Sequence, residues 1–512
     1  MLSITNSAAL QGIDSYAVAV EVDLGNGLPA FDIVGLPDSA VKESRERVRT
    51  AIKNAGFTFP VKRITVNLAP ADTKKEGAAF DLPIALGILT ATDEYQMKGR
   101  DLSEFLMIGE LSLDGSLRPV SGVLPMVYGS QTRDIKKCII PYENAEEAAL
   151  VKGMEVYGFK HLKEVISFLL KRTNPAPFLP SETLFSQEDT SLSALDFSHV
   201  KGQENAKRGL ELAAAGGHNL LMIGPPGSGK TMLAKRLPTI MPDLTFEESI
   251  ELTKIYSVAG LLKNKNALVK SRPFRSPHHT ISASALTGGG RIPKPGEISL
   301  AHHGVLFLDE LPEFQRATLE IMRQPLEDRK VTIARVNSTL TFPANFMLIA
   351  AMNPCPCGYL GNSDKCHCSI NEIAKYNRKI SGPLLDRIDL MVEMPAVSYD
   401  DLETLTPGES SAVIKNRVLT AARLQVERYQ NEGIFFNSQL NAAQIETFCV
   451  LGEKEKTLLR QAFDRLDISA RAYHKILKVA RTVADLEGSE NITIKHLAEV
   501  LQYRSLDRKY MM

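Results

Sequence analysis

The stretch GPPGSGKT decides the fold: Gly224, Pro225, Pro226, Gly227, Ser228, Gly229, Lys230 and Thr231. It fits the pattern G-x-x-x-x-G-K-[ST] at every fixed position. The apolar run NLLMI before it suits a central strand, and TMLAKRLPTIM after it has helical spacing. Glycines in such a turn adopt backbone angles that aim successive N–H groups at a phosphate. The pattern therefore predicts nucleotide binding. Lys230 would grip the β- and γ-phosphates, and the Thr231 hydroxyl would ligate Mg²⁺.

Working outward, GVLFLDE (Gly304–Glu310) reads as a buried strand ending in two carboxylates. In open α/β sheets ligands bind at that edge. Asp309 is expected to hold Mg²⁺ and Glu310 to deprotonate the attacking water. Alone, a strand followed by DE is also an ordinary exposed loop; beside the phosphate loop it makes ATP hydrolysis the leading chemistry. FMLIAAMN ends at Asn353, which can position that water, although Asn-Pro also favours turns. Arg387, in SGPLLDRIDL, and Arg471, in ISARAYHKIL, are candidate guanidinium donors to a phosphate. Read singly, each is first of all a surface salt-bridge residue.

Organisation follows from these motifs. Residues 171–195, KRTNPAPFLPSETLFSQEDTSLSAL, read as a linker rich in Pro, Ser and Thr. Residues 1–170 mix strand patterns (SYAVAVEVDL, RITVNLA) with an amphipathic helix, DSAVKESRERVRTAIKNAG, whose Val41, Val48 and Ile52 share a face and whose Gly56 is a candidate C-cap. DLPIALGILTAT reads as a buried helix. Residues 196–395 alternate strand and helix, the signature of a parallel sheet covered on both faces. Residues 396–512 are helical in period and read as a small bundle.

Bulk properties set outer limits. Lys plus Arg and Asp plus Glu are both 60 in 512 residues, so the chain does not coat nucleic acid by net charge, though a local basic channel remains open. No apolar run reaches the 18 or so residues of a membrane helix, and the N-terminus lacks a basic start and long apolar stretch. Six cysteines are too sparse for a disulfide scaffold, which with the missing leader predicts a cytoplasmic protein.

GPPGSGKT, VLFLDE, the strand ending in Asn353 and the two arginines together resemble an AAA+ ATPase. Pro273–Glu310 and SGPLLDRIDL are similar to its magnesium-chelatase-like branch, and the N-terminal domain to that of ComM/YifB-type bacterial proteins. The resemblance implies an α/β P-loop core with a helical lid. It also implies a ring, as a homo-hexamer with ATP between subunits. Arg387 then maps to the finger acting on the neighbour's ATP, and Arg471 to the second sensor in the lid over the nucleotide. A DNA motor is implied, of the kind linked to branch migration in natural transformation and recombination, in company with recombination proteins.

Lys230 and Asp309 lie 79 residues apart, far more than one crossover helix needs. The excess holds a glycine-rich loop, SALTGGGRIPKPGEISL, with Arg291 and Lys294. A second element, DRKVTIARVNSTLTFPA, alternates like a hairpin and carries Lys330 and Arg335. In a ring such loops could face a central pore and meet DNA phosphates without reading sequence; ordinary solvated loops would look the same.

CPCGYLGNSDKCHC contains Cys355, Cys357, Cys366 and Cys368, which could close a tetrahedral Zn²⁺ site, with His367 able to replace one thiolate. The C-x-C spacing is tighter than usual, and free thiols or a redox pair are the alternatives. Cys138 and Cys449 read as core residues.

ADTKKEGAAFDLPIALGIL and GELSLDGSLRPVSGVLP resemble the proteolytic domain of Lon-type proteases, an α+β fold of the ribosomal protein S5 domain 2-like type. That chemistry needs a serine activated by a lysine. The matching positions are Ala79 and Leu124, so the fold is expected without peptidase activity. Lys74 and Lys75 are candidate contacts to DNA or a partner, or members of an exposed loop. Three functions compete: a DNA-translocating ATPase, the ATPase subunit of a metal-insertion chelatase, and an ATP-dependent protease or bare nucleotide-binding scaffold. Ala79 and Leu124 oppose the protease, and intact Glu310 and Arg387 oppose the scaffold.

Overall fold

The computed structural model describes residues 2–92, 102–131, 134–179, 195–262, 268–290, 293–335, 338–361, 364–396, 408–466 and 469–511. The chain forms two compact units: Met1–Gln187 with Ser249–Val269, and Glu188–Glu248 with Lys270–Met512. Residues 249–269, expected in the core domain, thus belong to the first unit. There Ser257 donates a hydrogen bond to the buried Glu147, a long-range contact that no local period announces.

The first unit contains β1 (Leu2–Gln11), β2 (Asp14–Gly25), β3 (Ala30–Val34), β4 (Arg63–Ala69), β5 (Phe105–Met107), β6 (Glu110–Leu111), β7 (Leu117–Arg118), β8 (Lys137–Pro141) and β9 (Glu155–Phe159). Seven of these form one mixed sheet, ordered β3-β4-β2-β1-β5-β8-β9, and β6 pairs with β7. In β2, Val18, Val20 and Val22 are buried at alternate positions, as one covered face requires. Helix Ser39–Asn54 is started by Asp38, whose carboxylate accepts the Val41 N–H at 2.8 Å. It buries Val41, Val48 and Ile52, and its C-cap is Ala55 rather than Gly56. Helix Asp81–Ala91 is buried on every side.

The second unit adds β10 (Leu220–Ile223), β11 (Phe274–Arg275), β12 (Gly288–Gly289), β13 (Lys294–Pro295), β14 (Val305–Leu308), β15 (Lys330–Arg335), β16 (Ser338–Pro343), β17 (Met347–Met352) and β18 (Leu390–Glu393). Five make a parallel sheet in the order β11-β14-β17-β10-β18. Alternate residues serve two cores. Leu220, Met222, Phe307, Ile349 and Val392 face one, and Leu221, Ile223, Leu306, Leu308 and Leu348 face the other. Burial on both faces explains why these strands read as unbroken apolar runs. The C-terminal helices Ser411–Arg428, Ala442–Phe448, Glu453–Leu466, Ala470–Leu486 and Ile494–Met511 pack as the expected bundle. Its buried Asp485 is clasped by Arg428 at 2.6 Å and Arg481 at 3.1 Å.

The stretch read as a glycine-rich loop is more structured than its composition suggests. It folds as a short helix, Ala283–Thr287, the ribbon β12–β13, and a second helix, Glu297–Leu300. The expected hairpin is β15–β16, paired from Lys330↔Pro343 to Arg335↔Ser338.

Candidate functional site

Three strands of the parallel sheet run out at one edge into the residues of the motifs: β10 into Gly224, β14 into Asp309 and β17 into Asn353. Between β10 and helix Lys230–Arg236, Gly227 (φ 77°) and Gly229 (φ 91°) occupy the left-handed region that lets the loop curl. The Lys230 ammonium bridges this edge. Its Nζ donates to the Gly224 carbonyl at 2.7 Å, the Pro225 carbonyl at 2.9 Å and Asn353 Oδ1 at 3.2 Å. Burial lowers its pKa, while Asp309 and Glu310 oppose that shift. An arriving phosphate would replace carbonyl dipoles with full negative charge.

Thr231 Oγ1 donates to Asp309 Oδ2 at 2.6 Å, and Asp309 Oδ1 accepts the Glu310 N–H at 2.9 Å. A hydroxyl and a carboxylate in contact beside the phosphate loop fit the oxygen donors that Mg²⁺ prefers. Glu310 itself has φ 52°, a strained value for a residue with a side chain, and its carboxylate is exposed. His279 Nδ1 lies 3.5 Å from its Oε2. Sequence reasoning missed His279: it follows a strand of only two residues, β11, which gives no periodic signal.

The two arginines occupy the other edge. A cavity of about 310 Å³ is lined by Asn219, Gly304, Met347 and Asp389, which stand at the beginnings of β10, β14, β17 and β18. Arg387, Arg471, Arg329, Lys475 and Lys478 also line it. Arg387 and Arg471 both reach Glu327, Arg387 in close contact and Arg471 at 3.8 Å. The Arg387 Nε is buried without a hydrogen-bond partner among the described residues. The resemblance put Arg471 in the lid over the nucleotide. Here it opens helix Ala470–Leu486 beside Arg387, with the sheet between it and Lys230. Glu327, which joins the pair, lies on a short helix with no sequence signature.

Of the basic residues on the inserted elements, Lys294 is exposed on β13 and Lys330 is exposed at the base of β15. The ribbons meet: a Cβ on Gly288 would lie 2.3 Å from the Lys294 carbonyl oxygen and 3.2 Å from Ile333 Cδ1. Arg291 lies outside the described residues. Arg335 ends β15, and its side chain also lies outside what is described.

Cys355, Cys357, Cys366 and Cys368 converge, with all four sulfurs within 4.8 Å of one another. Cys355 Sγ is 3.3 Å from Cys357 Sγ and 3.8 Å from Cys366 Sγ. Four thiolates at Zn–S distances of about 2.3 Å put neighbouring sulfurs about 3.8 Å apart, so the donor set fits zinc. His367 is not one of the converging groups.

In the first unit, Ala79 and Leu124 present hydrocarbon to the core, at 7% and 0% exposure. Glu147 accepts the Leu124 N–H at 3.0 Å; burial raises its pKa, against the hydrogen bonds it accepts. Lys74 is exposed and pairs with Glu76, whereas Lys75 is fully buried and donates to the Pro70 and Thr73 carbonyls. Lys75 is therefore a fastener of its own loop, not the exposed residue expected. Among the described residues no helix is long and apolar enough to cross a membrane.

Comparison with known proteins identifies the family. Residues 196–402 match the family model for magnesium chelatase, subunit ChlI; residues 20–144 match that for the ChlI subunit of Mg-chelatase; and residues 408–504 match its C-terminal model. The competence protein ComM of Haemophilus influenzae is 47% identical across 99% of this chain and 98% of its own. The YifB protein of Escherichia coli is 44% identical over the same shares. Lon protease 2 of Bacillus subtilis is 31% identical over 27% of this chain and 25% of its own. An AAA+ sheet with its phosphate loop, a Lon-like first unit and near-full-length identity at this level leave one assignment: the chain belongs to the ComM/YifB family of magnesium-chelatase-like proteins.

Proposed function

We propose that this protein is a ring-forming ATPase that spends ATP hydrolysis on moving along DNA, acting as a branch-migration helicase in transformation or recombination. The observation that carries the reading is the separation of two half-sites on one sheet. Lys230, Thr231, Asp309, Glu310 and Asn353 crowd one edge, and Arg387 with Arg471 crowd the other. Neither half is complete, and a second copy docked edge to edge completes both, as in a closed ring of six. Lys230 and the loop amides then hold the ATP phosphates. Mg²⁺, held by Thr231 and Asp309, would neutralise phosphate charge. Glu310 takes the proton of the attacking water, Asn353 aligns that water, and both arginines leave Glu327 for the neighbour's γ-phosphate.

Lys294 and Lys330, with Arg291 and Arg335 on the same elements, contact the DNA backbone in the pore. The four cysteines hold zinc as a structural clip. The Lon-like unit retains its fold without peptidase chemistry, because a methyl and an isobutyl group supply neither nucleophile nor base. The near-full-length likeness to a competence protein supports a role in handling incoming or recombining DNA, with recombination proteins as partners in the cytoplasm.

Phosphate release measured with no DNA, single strands, duplex and four-way junctions tests the reading. Stimulation by branched DNA is expected; equal rates in all four would remove the DNA component. The alternative, an ATPase subunit of a metal-insertion chelatase, rests on the matching family model. Magnesium insertion into a porphyrin, reconstituted with chelatase partner subunits, would favour it.

A further inference from the structure

The cysteine loop begins and ends on the residues that shape the phosphate site. Cys355 is fully buried and stands two residues after Asn353, whose Oδ1 accepts from Lys230. At the other end, Cys368 directly precedes helix Ile370–Asn377, started by a capping box between Ser369 and Glu372. That helix presents the buried Tyr376, which lies beside the Asn353 backbone. Asn353 is thus flanked from two directions by segments that the four sulfurs bring together.

A third contact reaches the phosphate loop directly. Gly358, inside the cysteine loop at φ 86°, lies so close to Pro226 that a Cβ there would come within 2.5 Å of its ring. The Gly358 N–H donates to the Cys355 carbonyl at 3.0 Å, which fixes this glycine relative to the buried sulfur. A crosslink from Cys355 and Cys357 to Cys366 and Cys368 closes the loop between them and lowers the entropy cost of ordering it.

We propose that a zinc ion held by Cys355, Cys357, Cys366 and Cys368 is a strut for the nucleotide site: it seats Gly358 against Pro226 and fixes Asn353 opposite Lys230, so that ATP affinity depends on the metal. The proposal rests on the ATP reading above. It assigns the metal a task in nucleotide binding beyond that of a remote clip, and makes metal supply a means of regulation.

The test uses the full chain purified with its metal. Zinc per chain is counted by mass spectrometry, and binding of a fluorescent ATP analogue is measured with Mg²⁺ before and after treatment with a high-affinity chelator. The expected result is one zinc per chain, at least a tenfold loss of affinity on removal, and recovery on adding one equivalent of zinc with a thiol reductant. Circular dichroism separates this from unfolding. The variant Gly358→Ala keeps all four cysteines; it should retain zinc yet bind the analogue at least tenfold more weakly, since the new methyl displaces Pro226. A chain that purifies without zinc, or a metal-free chain that binds as tightly as the loaded one, overturns the proposal alone. A loaded wild-type chain that binds no nucleotide overturns the ATP reading and the strut together.

Discussion

Mixing two inactive variants tests whether Arg471 serves a neighbour. β10 spans Leu220–Ile223; at roughly 3.3 Å per residue that places the two sheet edges about 13 Å apart. The distance exceeds an arginine side chain, and the covered sheet stands in the way, so Arg471 does not reach the phosphates bound by its own Lys230. Arg471→Ala should lower phosphate release by about 10³-fold or more, the contribution of a guanidinium to phosphoryl transfer. Lys230→Ala should be comparably inactive. In an equimolar mixture, an Arg471→Ala subunit with an intact phosphate loop can face a Lys230→Ala subunit with an intact arginine. Random rings hold such pairs at about one boundary in four, so about a quarter of wild-type turnover should return. Phosphate release gives the rate, and native mass spectrometry verifies that the rings are mixed. Mixed rings as inactive as their parents would refute the reasoning, because an arginine acting within its own chain cannot be complemented.

Four further outcomes are expected. Glu310→Gln should bind ATP and assemble while turnover falls by about 10²–10⁴-fold; unchanged turnover would remove Glu310 as the base. His279→Ala should raise DNA-free hydrolysis by up to about fivefold, since a solvent-exposed polar contact to Glu310 is worth about 1 kcal/mol or less; a slower rate would make His279 an aid rather than a restraint. Lys294→Ala and Lys330→Ala should each weaken DNA binding uniformly across sequences and reduce the slope of log affinity against log salt by about 1, which a salt titration by fluorescence anisotropy reads directly. Glu327→Gln should leave nucleotide binding unchanged and alter turnover only under ring-forming conditions, because Glu327 touches the arginines and not the phosphate loop; a changed affinity in the monomer would contradict the two-edge arrangement.

The central sheet was legible because strands buried on both faces must be written as continuous apolar runs, and polar residues at their ends mark the ligand edge. NLLMIGPPGSGKT, VLFLDE and FMLIAAMN each announce a strand and its exit. What sequence could not supply were contacts made across the fold. His279 meets Glu310 from a two-residue strand, and Glu327 meets Arg387 and Arg471 from a short helix. Arg471 was located on its helix, but which sheet edge that helix visits depends on how the bundle packs. The same holds for the helix Phe246–Ala259, whose period says nothing about the unit that it joins from Ser249 onward. Lys75 was misread for a related reason: a lysine in a polar loop is ordinarily solvated, and only the fold curls its loop around it to supply carbonyl acceptors.

The most direct measurement is migration of a synthetic four-way junction by wild-type rings, followed by gel mobility with ATP, with a non-hydrolysable analogue, and with Glu310→Gln rings. Movement of the branch with ATP and wild-type protein alone is predicted. Brisk ATP turnover beside a stationary junction would contradict the claim that hydrolysis between subunits drives DNA.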